Sequence, residues 1–499
     1  YRLEIALGIL ICILYFTLRL PNLTLQPIFA DEAIYIRWAQ VMRAEPTLRF
    51  LPLSDGKTPL FMWSMIPLLK VFNDPLFAGR FLSVLSGFVT LTGVFALSWK
   101  VFGKRVAFWA ALIYAIVPYT VFFNRMALVD SMLAGFTVWS LFFAVWILKS
   151  PRLDLSMILG FILGGAILTK TPAMINLIVL PLSILGFSFN RSNKYKLLRI
   201  VGCWTVAIFI ALTMYNLLRL GPEFHKLSSR NADYVFSPAD LAGRPLDPFI
   251  PHLRDIFEWF PKLLTWPVIV FVTFGVIRVI WEKNRLGFVI LFWAAVPLLV
   301  QMAFLRTFTA RYLLFSIPPL LVLAGYGIEK VLEKIKVLNF NTKYQASLIT
   351  VIIFILALPL YFNYLLITDP QNAPLPNAER RGYLEDWTAG YGFKEISEFL
   401  MNKKKDGPVV VGTEGYFGTL PDGLQMYLDK AEIPVIGAGA TISAKIRDAA
   451  SSNQTFFVAN SSMPHFLERA EKIMEFPKAT PYDANFSQGA VILYKVLPQ

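Results

Sequence analysis

Two adjacent acids stand first among the residues of this chain that could do chemistry. Asp31 and Glu32, in FADEAIYIRW (29–38), lie soon after the first long apolar run, in a sequence with 33 acids among 499 residues. Further charges recur in short motifs: Asp55 and Lys57 in SDGKTPLFMW (54–63), Arg125 and Asp130 in NRMALVDSM (124–132), Lys170 in ILTKTPAM, and Arg306 and Arg311 in LRTFTARYLLFSIPP. Carboxylates can take a proton from a hydroxyl, and cations can neutralise a developing anion. Ionisable groups beside hydrocarbon mark functional sites when they face a cavity. A plainer reading competes. Asp31 and Glu32 would also cap the helix AIYIRWAQVMRA, worth about 0.3–1 kcal/mol through the dipole and the free N–H groups. Each cation would also serve as an ordinary snorkelling residue.

The elements that must position these residues are membrane spans. Of the residues 56% are hydrophobic and 16% charged, with mean hydropathy +0.56, whereas soluble domains carry about 25% charged residues. About 20 apolar residues cross the hydrocarbon core, and eleven such runs fall near 3–20, 79–99, 106–124, 132–148, 154–169, 172–189, 198–219, 264–281, 286–305, 310–328 and 346–366. The stretch 58–72, TPLFMWSMIPLLKVF, is short for a span and rich in Trp, Met and Pro, so it is read as interfacial. Residue 1 is tyrosine, so a short cytoplasmic start is expected to precede an otherwise whole first span.

Charge asymmetry tests the interfacial assignment, because cytoplasmic loops collect Lys and Arg. Alternate loops hold Lys100, Lys104, Arg105, Lys149, Arg152, Arg191, Lys194, Lys196, Arg199, Lys283, Arg285, Lys330, Lys334, Lys336 and Lys343. If 58–72 spanned, this set would fall outside. The loops 21–78, 125–131, 220–263 and 306–309, with the C-terminal region, are therefore expected on the outer face of a plasma (inner) membrane. Topology also accounts for the net charge of +14, and no basic face for nucleic acid is implied. Cys12 and Cys203 both lie in apolar stretches and read as packing residues.

From about residue 370 the composition changes. DPQNAPLPNAERRGYLED (369–386) reads as a linker between a membrane domain (1–368) and an extracytoplasmic unit (387–499). Helical FKEISEFLMNKKK, DGLQMYLDKA and ISAKIRDAA alternate with strand-like PVVVGT, IPVIGA, TFFVAN and GAVILYKVL, predicting a small α/β domain. GTEGYFG (412–418) lacks the lysine of a phosphate loop and reads as turn glycines. No internal repeat is evident.

The order FADEAIYIRWA, DGKTPLFMW, AGRFLSVLSG, NRMALVDSM, LTKTPA and ARYLLFSIPPLLVLAGYGIEKV resembles that of the multi-spanning glycosyltransferases of GT-C fold. Within them it resembles the branch of protein O-mannosyltransferases and bacterial lipid A aminoarabinose transferases, over roughly residues 1–330. The resemblance implies a polytopic α-helical fold with amphipathic helices in the first outer loop. It also implies transfer of a sugar from a polyprenyl-phosphate donor to a lipid, protein or glycan acceptor, in one inverting displacement. Asp31 is then the candidate base, Glu32 its neighbour that shapes the site or holds an acceptor, and Asp130 a second carboxylate across the cavity. Lys57 and Arg311 would bind the lipid phosphate, with Lys170, Arg125 and Arg306 as further candidates. Some relatives use a divalent metal, for which Asp31, Asp55, Asp130 and His252 are possible ligands, with His225 nearby in sequence. The aminoarabinose transferases carry a glutamate directly before the lysine of the second motif, where this chain has Gly56, so metal use stays open.

Two rivals remain at this stage. A transporter or flippase of a lipid-linked sugar should place charged or broken helices near the bilayer midplane, whereas these charges sit at helix ends. A scaffold anchoring the α/β unit would not need eleven spans.

Overall fold

The computed structural model describes residues 2–189, 194–244, 246–337, 342–439, 441–461, 469–483 and 485–498. Arg191 lies outside the described residues, as do the side chains of Lys336 and Lys343.

Helix α1 (Arg2–Thr17) exposes Leu3, Ile5, Ile9, Leu10 and Ile13 and buries Ile11 and Tyr15, the burial expected of a helix with lipid on one side. A two-residue strand β1 (Ile28–Phe29) leads into α2 (Ala30–Ala44), and two short helices, α3 (Leu60–Met65) and α4 (Leu68–Val71), occupy the stretch read as interfacial. Asp74 caps the long α5 (Pro75–Phe102), accepting from the N–H groups of Leu76 at 2.9 Å and Phe77 at 3.1 Å, with Pro75 in the first helical position, where its missing N–H costs nothing.

Helix α6 (Lys104–Ile116) turns by 57° into α7 (Pro118–Asn124), because Pro118 holds Val117 extended. Then follow α8 (Val129–Lys149), α9 (Leu153–Thr169), α10 (Met174–Val179) between two 3-10 stretches, and α11 (Lys194–Asn216). After the short α12 (Lys226–Tyr234) and α13 (Pro238–Ala242), α14 (Phe249–Leu263) turns by 113° into α15 (Trp266–Trp281). Helix α16 (Arg285–Phe304), a 3-10 stretch over Ala310–Ser316, α17 (Ile317–Val337) and α18 (Thr342–Thr368) complete this part.

Helix occurs at all eleven apolar runs, but length and composition single out fewer. Among the described residues five helices are long and apolar enough to cross a membrane, or seven if each bent pair is one span. Prolines account for part of the difference, dividing the runs near 118, 172 and 181 into short or 3-10 pieces, while α1 and α9, at 16 and 17 residues, stop just short of a span's length.

Close packing joins the long helices. A Cβ on Gly275 of α15 would lie 2.0 Å from the carbonyl oxygen of Leu323 on α17, and one on Gly327 would lie 2.3 Å from that of Phe271, so the two helices meet backbone to backbone. At one end, ion pairs Lys104–Glu4, Arg105–Glu329 and Lys330–Glu282 tie together the loops that carry the cation excess.

The C-terminal part holds α19 (Asn377–Arg380), β2 (Ala389–Gly390), α20 (Phe393–Lys404), β3 (Val409–Glu414), α21 (Thr419–Gln425), β4 (Val435–Ala438), α22 (Ala444–Ala450), β5 (Gln454–Asn460), β6 (Ala470–Pro477) and β7 (Ala490–Val496). The five-stranded sheet runs β4-β3-β5-β7-β6, parallel across β4-β3-β5 and antiparallel at β7 and β6. Strand β6 (AEKIMEFP) was not expected. It is an edge strand with mostly exposed, charged positions, and such edges lack an apolar signature. The helix expected over 422–431 is Thr419–Gln425 instead. Residues 369–386, expected as a linker, are packed: Leu375, Glu379, Arg380, Tyr383 and Leu384 are all buried.

Candidate active site

The site forms where α2 begins. Strand β1 pairs antiparallel with β2, Ile28 opposite Gly390 and Phe29 opposite Ala389, and this fixes the direction in which α2 leaves. Successive residues of a helix point about 100° apart, so Asp31 and Glu32 face different neighbours.

Glu32 faces inward. Its carboxylate accepts from Phe29 N at 2.9 Å, Ala127 N at 2.6 Å, and both Nε and Nη2 of Arg80 at 2.8 Å. Both side chains of this ion pair are fully buried. Arg80 also donates to the carbonyls of Leu23, Gln26 and Pro27, stitching the first loop to α5. Both carboxylate oxygens of Glu32 are thus engaged in holding the helix start.

Asp31 faces a cluster of cations. Its Oδ2 lies 2.6 Å from Nη1 of Arg311 and its Oδ1 lies 3.5 Å from Nζ of Lys57. Burial by itself would push the Asp31 pKa up, but Arg311, Lys57 and Lys170 outweigh it and hold the carboxyl well below its usual range. Burial would lower the Lys57 pKa, but Tyr35, Asp31 and Asp55 raise it above its ordinary value. Lys57 also lies 3.3 Å from Asp55 and over the rings of Tyr35 and Trp38. Asp55 in turn pairs with Arg230 at 2.8 Å.

Gly56 has φ +66°, and a Cβ there would come within 2.6 Å of Arg230. Both features favour glycine, which gives a physical reason for its presence where the resembling enzymes carry glutamate.

A second ion pair adjoins the first. Asp130, buried in the first turn of α8, accepts from Lys170 at 2.6 Å, and Lys170 lies 4.0 Å from the ring centroid of Tyr312. Arg311 lies 5.1 Å from the same ring. Tyr312 thus sits between the two pairs.

The remaining candidates lie elsewhere. Arg125 donates to the carbonyls of Arg19, Pro21 and Asn22 at 2.7–2.9 Å, a structural clamp that occupies its guanidinium. Arg306 is exposed, 3.4 Å from Asp240. Among the described residues no group of three His, Cys, Asp or Glu side chains is placed to hold a metal ion. The ligand set Asp31, Asp55, Asp130 and His252 is therefore not assembled. His252 lies with Nδ1 2.8 Å from the Met302 carbonyl and its ring stacked on Phe308, while His225 is exposed beside Glu223.

Several residues of the site were not foreseen. Arg80 stands in a long apolar run, where an arginine is itself a signal. Tyr312 and Tyr383 carry no sequence signature. Glu379 sits in a polar stretch that reads as solvated, yet it is buried and accepts from Ala310 N at 2.8 Å. Burial pushes its pKa up to about 7, against the opposing influence of the Ala310 bond and Arg311.

This is the fold of the GT-C membrane glycosyltransferases, and the resemblance to the O-mannosyltransferase and aminoarabinose transferase branch is borne out. Residues 56–217 match the family model of dolichyl-phosphate-mannose-protein mannosyltransferases. The fold is similar to that of ArnT from Cupriavidus metallidurans bound to undecaprenyl phosphate, with TM-score 0.61 and 16% identity over 98% of this chain and 97% of that one. It is also similar to the archaeal oligosaccharyltransferase AglB from Archaeoglobus fulgidus in complex with an inhibitory peptide and a dolichol-phosphate, with TM-score 0.57 and 12% identity over 92% of this chain and 69% of that one. No curated protein sequence matches. At these identities the likeness establishes the fold, and the chemistry must be argued from the site.

Proposed function

We propose that the chain is an inverting glycosyltransferase that moves a sugar from a polyprenyl-phosphate carrier to an acceptor at the outer face of the plasma membrane. The observation that carries this reading is the Asp31 carboxylate held between Lys57 and Arg311. A base and two phosphate-neutralising cations then lie within one side chain's reach of each other.

In the reaction, an acceptor hydroxyl oxygen attacks the anomeric carbon from the face opposite the phosphate. The bond from that carbon to the phosphate oxygen breaks, and its electron pair leaves on the polyprenyl phosphate. The hydroxyl proton passes to Asp31. A phosphate is a good leaving group and requires charge neutralisation more than protonation, which Lys57 and Arg311 supply.

The same geometry gives the donor a second effect. A phosphate entering between Lys57 and Arg311 competes with Asp31 for both cations, so donor binding raises the proton affinity of the base when it is needed. Lys170, paired with Asp130, is a third cation for the donor.

Trp38, beneath Lys57, meets Phe417 at 5.9 Å between ring centroids, so the C-terminal unit borders the approach to the site. This supports entry of the acceptor along that border.

The test is transfer from a panel of radiolabelled polyprenyl-phosphate sugars by the purified protein in lipid, alongside Asp31→Ala. Transfer by the unmodified protein and none by a folded, donor-binding variant is expected. Equal transfer by both would remove Asp31 from the chemistry.

A further inference from the structure

One stretch of chain holds both partners of the Asp31–Arg311 ion pair from behind. Ala30, immediately before Asp31, donates its N–H to the carbonyl of Thr388 at 3.0 Å. Ala310, immediately before Arg311, donates its N–H to Glu379 Oε1 at 2.8 Å, and its carbonyl accepts from Tyr119 Oη at 2.5 Å. Between these two anchor points the ring of Tyr383 packs 4.4 Å from Phe29 and 5.2 Å from Phe122. The stretch is itself fastened to the sheet unit, because Arg380 donates to the Thr480 carbonyl at 2.9 Å and Lys478 to the Asp386 carbonyl at 2.8 Å.

We infer that residues 377–390 form a positioning strap that sets the separation of Asp31 and Arg311, with Glu379 as its positioning residue. This rests on the proposed reaction only for its catalytic consequence, since the strap contacts stand without it. The two residues reach the site from α2 and from the Ala310–Ser316 stretch, far apart in sequence, and the strap bonds to the backbone just ahead of each. A shift of the strap therefore moves acid and cation relative to one another. Misplacement on the ångström scale costs about a hundredfold in rate in well-ordered sites. The sheet unit thereby gains a role beyond covering the membrane part: its position is transmitted through Arg380 and Lys478 to the ion pair.

Glu379 also makes the strap responsive to pH. Among the described residues it forms no ion pair, and the groups that act on it are Arg311, Asp130 on α8 and Glu258 on α14, while Tyr119 on α7 and Tyr383 on the strap feel its charge in turn. Its carboxyl titrates near neutrality under the burial already described. Ionisation makes it a stronger acceptor for the Ala310 N–H but buries a charge that the strap must then hold, so the strap's hold on Ala310 changes as pH passes through neutrality.

The experiment compares Glu379→Gln and Glu379→Ala with the unmodified full chain in lipid nanodiscs. Amide hydrogen exchange is followed over 28–31 and 309–312, and transfer is followed from pH 5.5 to 8.5. Glu379→Ala should speed exchange over 309–312 and lower transfer by about tenfold or more. Glu379→Gln keeps an acceptor oxygen, so it should exchange nearly as slowly as the unmodified chain while losing the inflection near neutral pH. Unchanged exchange and transfer in Glu379→Ala would overturn the inference, as would an unaltered pH profile in Glu379→Gln. If Glu379→Ala does not fold, the profile of Glu379→Gln decides. Exchange needs no turnover, so absence of transfer from the unmodified chain would sink the proposed reaction and leave the strap to be judged by its amides.

Discussion

Replacing Glu32 should destabilise the protein before it touches the chemistry, and the size of that effect follows from its contacts. Glu32→Ala removes four hydrogen bonds, two from Arg80 and two from the backbone N–H groups of Phe29 and Ala127. It leaves the Arg80 guanidinium with no exposed surface and no counter-charge. Breaking a buried ion pair by removing one partner costs about 3–5 kcal/mol, and three remaining carbonyl acceptors for Arg80 keep the estimate at about 4 rather than higher. In a chain of 499 residues that corresponds to a fall of about 4 °C in melting temperature. Glu32→Gln keeps the acceptor oxygen but loses the charge, so about half the effect is expected. Thermal unfolding of purified protein in detergent, read by tryptophan fluorescence, gives the shift. Asp31→Asn is the paired control: it should melt closer to the unmodified protein than Glu32→Ala does, while transfer falls at least about a hundredfold. The reasoning fails if Glu32→Gln melts like the unmodified protein yet does not transfer, because Glu32 would then belong to the chemistry.

Lys57→Ala should weaken binding of undecaprenyl phosphate by about 10- to 100-fold, the worth of one charge-assisted hydrogen bond, as read by tryptophan quenching; unchanged affinity would remove Lys57 from the donor site. Glu379 has its pKa raised from 4.5 to about 7 by burial, so its stabilising effect is complete below pH 4.5 and is lost as pH rises through 7. At pH 8 its ionisation costs the fold about 3 kcal/mol. Glu379→Gln should therefore gain melting temperature over the unmodified protein as pH goes from 5 to 8, and a constant difference would refute the assignment. Gly275→Ala, whose Cβ would meet the Leu323 carbonyl at 2.0 Å, should destabilise by about 1–3 kcal/mol or more. Gly8→Ala, with nothing within 4 Å, should be neutral in the same melting experiment.

Hydropathy located the helices because lipid-facing surface on α1 and α11 must be apolar whatever the tertiary contacts are. It could not locate their breaks equally well, since a proline inside an apolar run such as Pro118 or Pro172 leaves the average unchanged while dividing the helix. Asp31, Lys57, Asp130, Lys170 and Arg311 were legible through the order of their motifs, since taken singly each charge at a helix end reads equally well as a cap or a snorkelling residue. Their pairing was not, because Asp31 and Arg311 meet only through the tertiary fold. Glu379 was hidden for the opposite reason. NAERRGYLED has the composition of a solvated linker, and only the packing of Tyr383 and Leu384 against the membrane part reveals that it is buried.

The adjacency of Asp31 and Glu32 shows where sequence reasoning reaches its limit and why. Capping and chemistry were posed as alternatives for the pair, but a helix start turns neighbouring side chains about 100° apart, so the two acids need not share a role. Glu32 takes the cap: it is three residues after Phe29 and accepts that residue's N–H, and the inward direction this imposes brings it to Arg80. Once Glu32 is fixed inward, Asp31 points along α2's other side, toward Lys57 and Arg311. The structural acid thus aims the proposed base. A mutation at position 32 that perturbs transfer would do so by turning Asp31, and Glu32→Asp, which shortens the reach to Arg80, should lower transfer and melting temperature together.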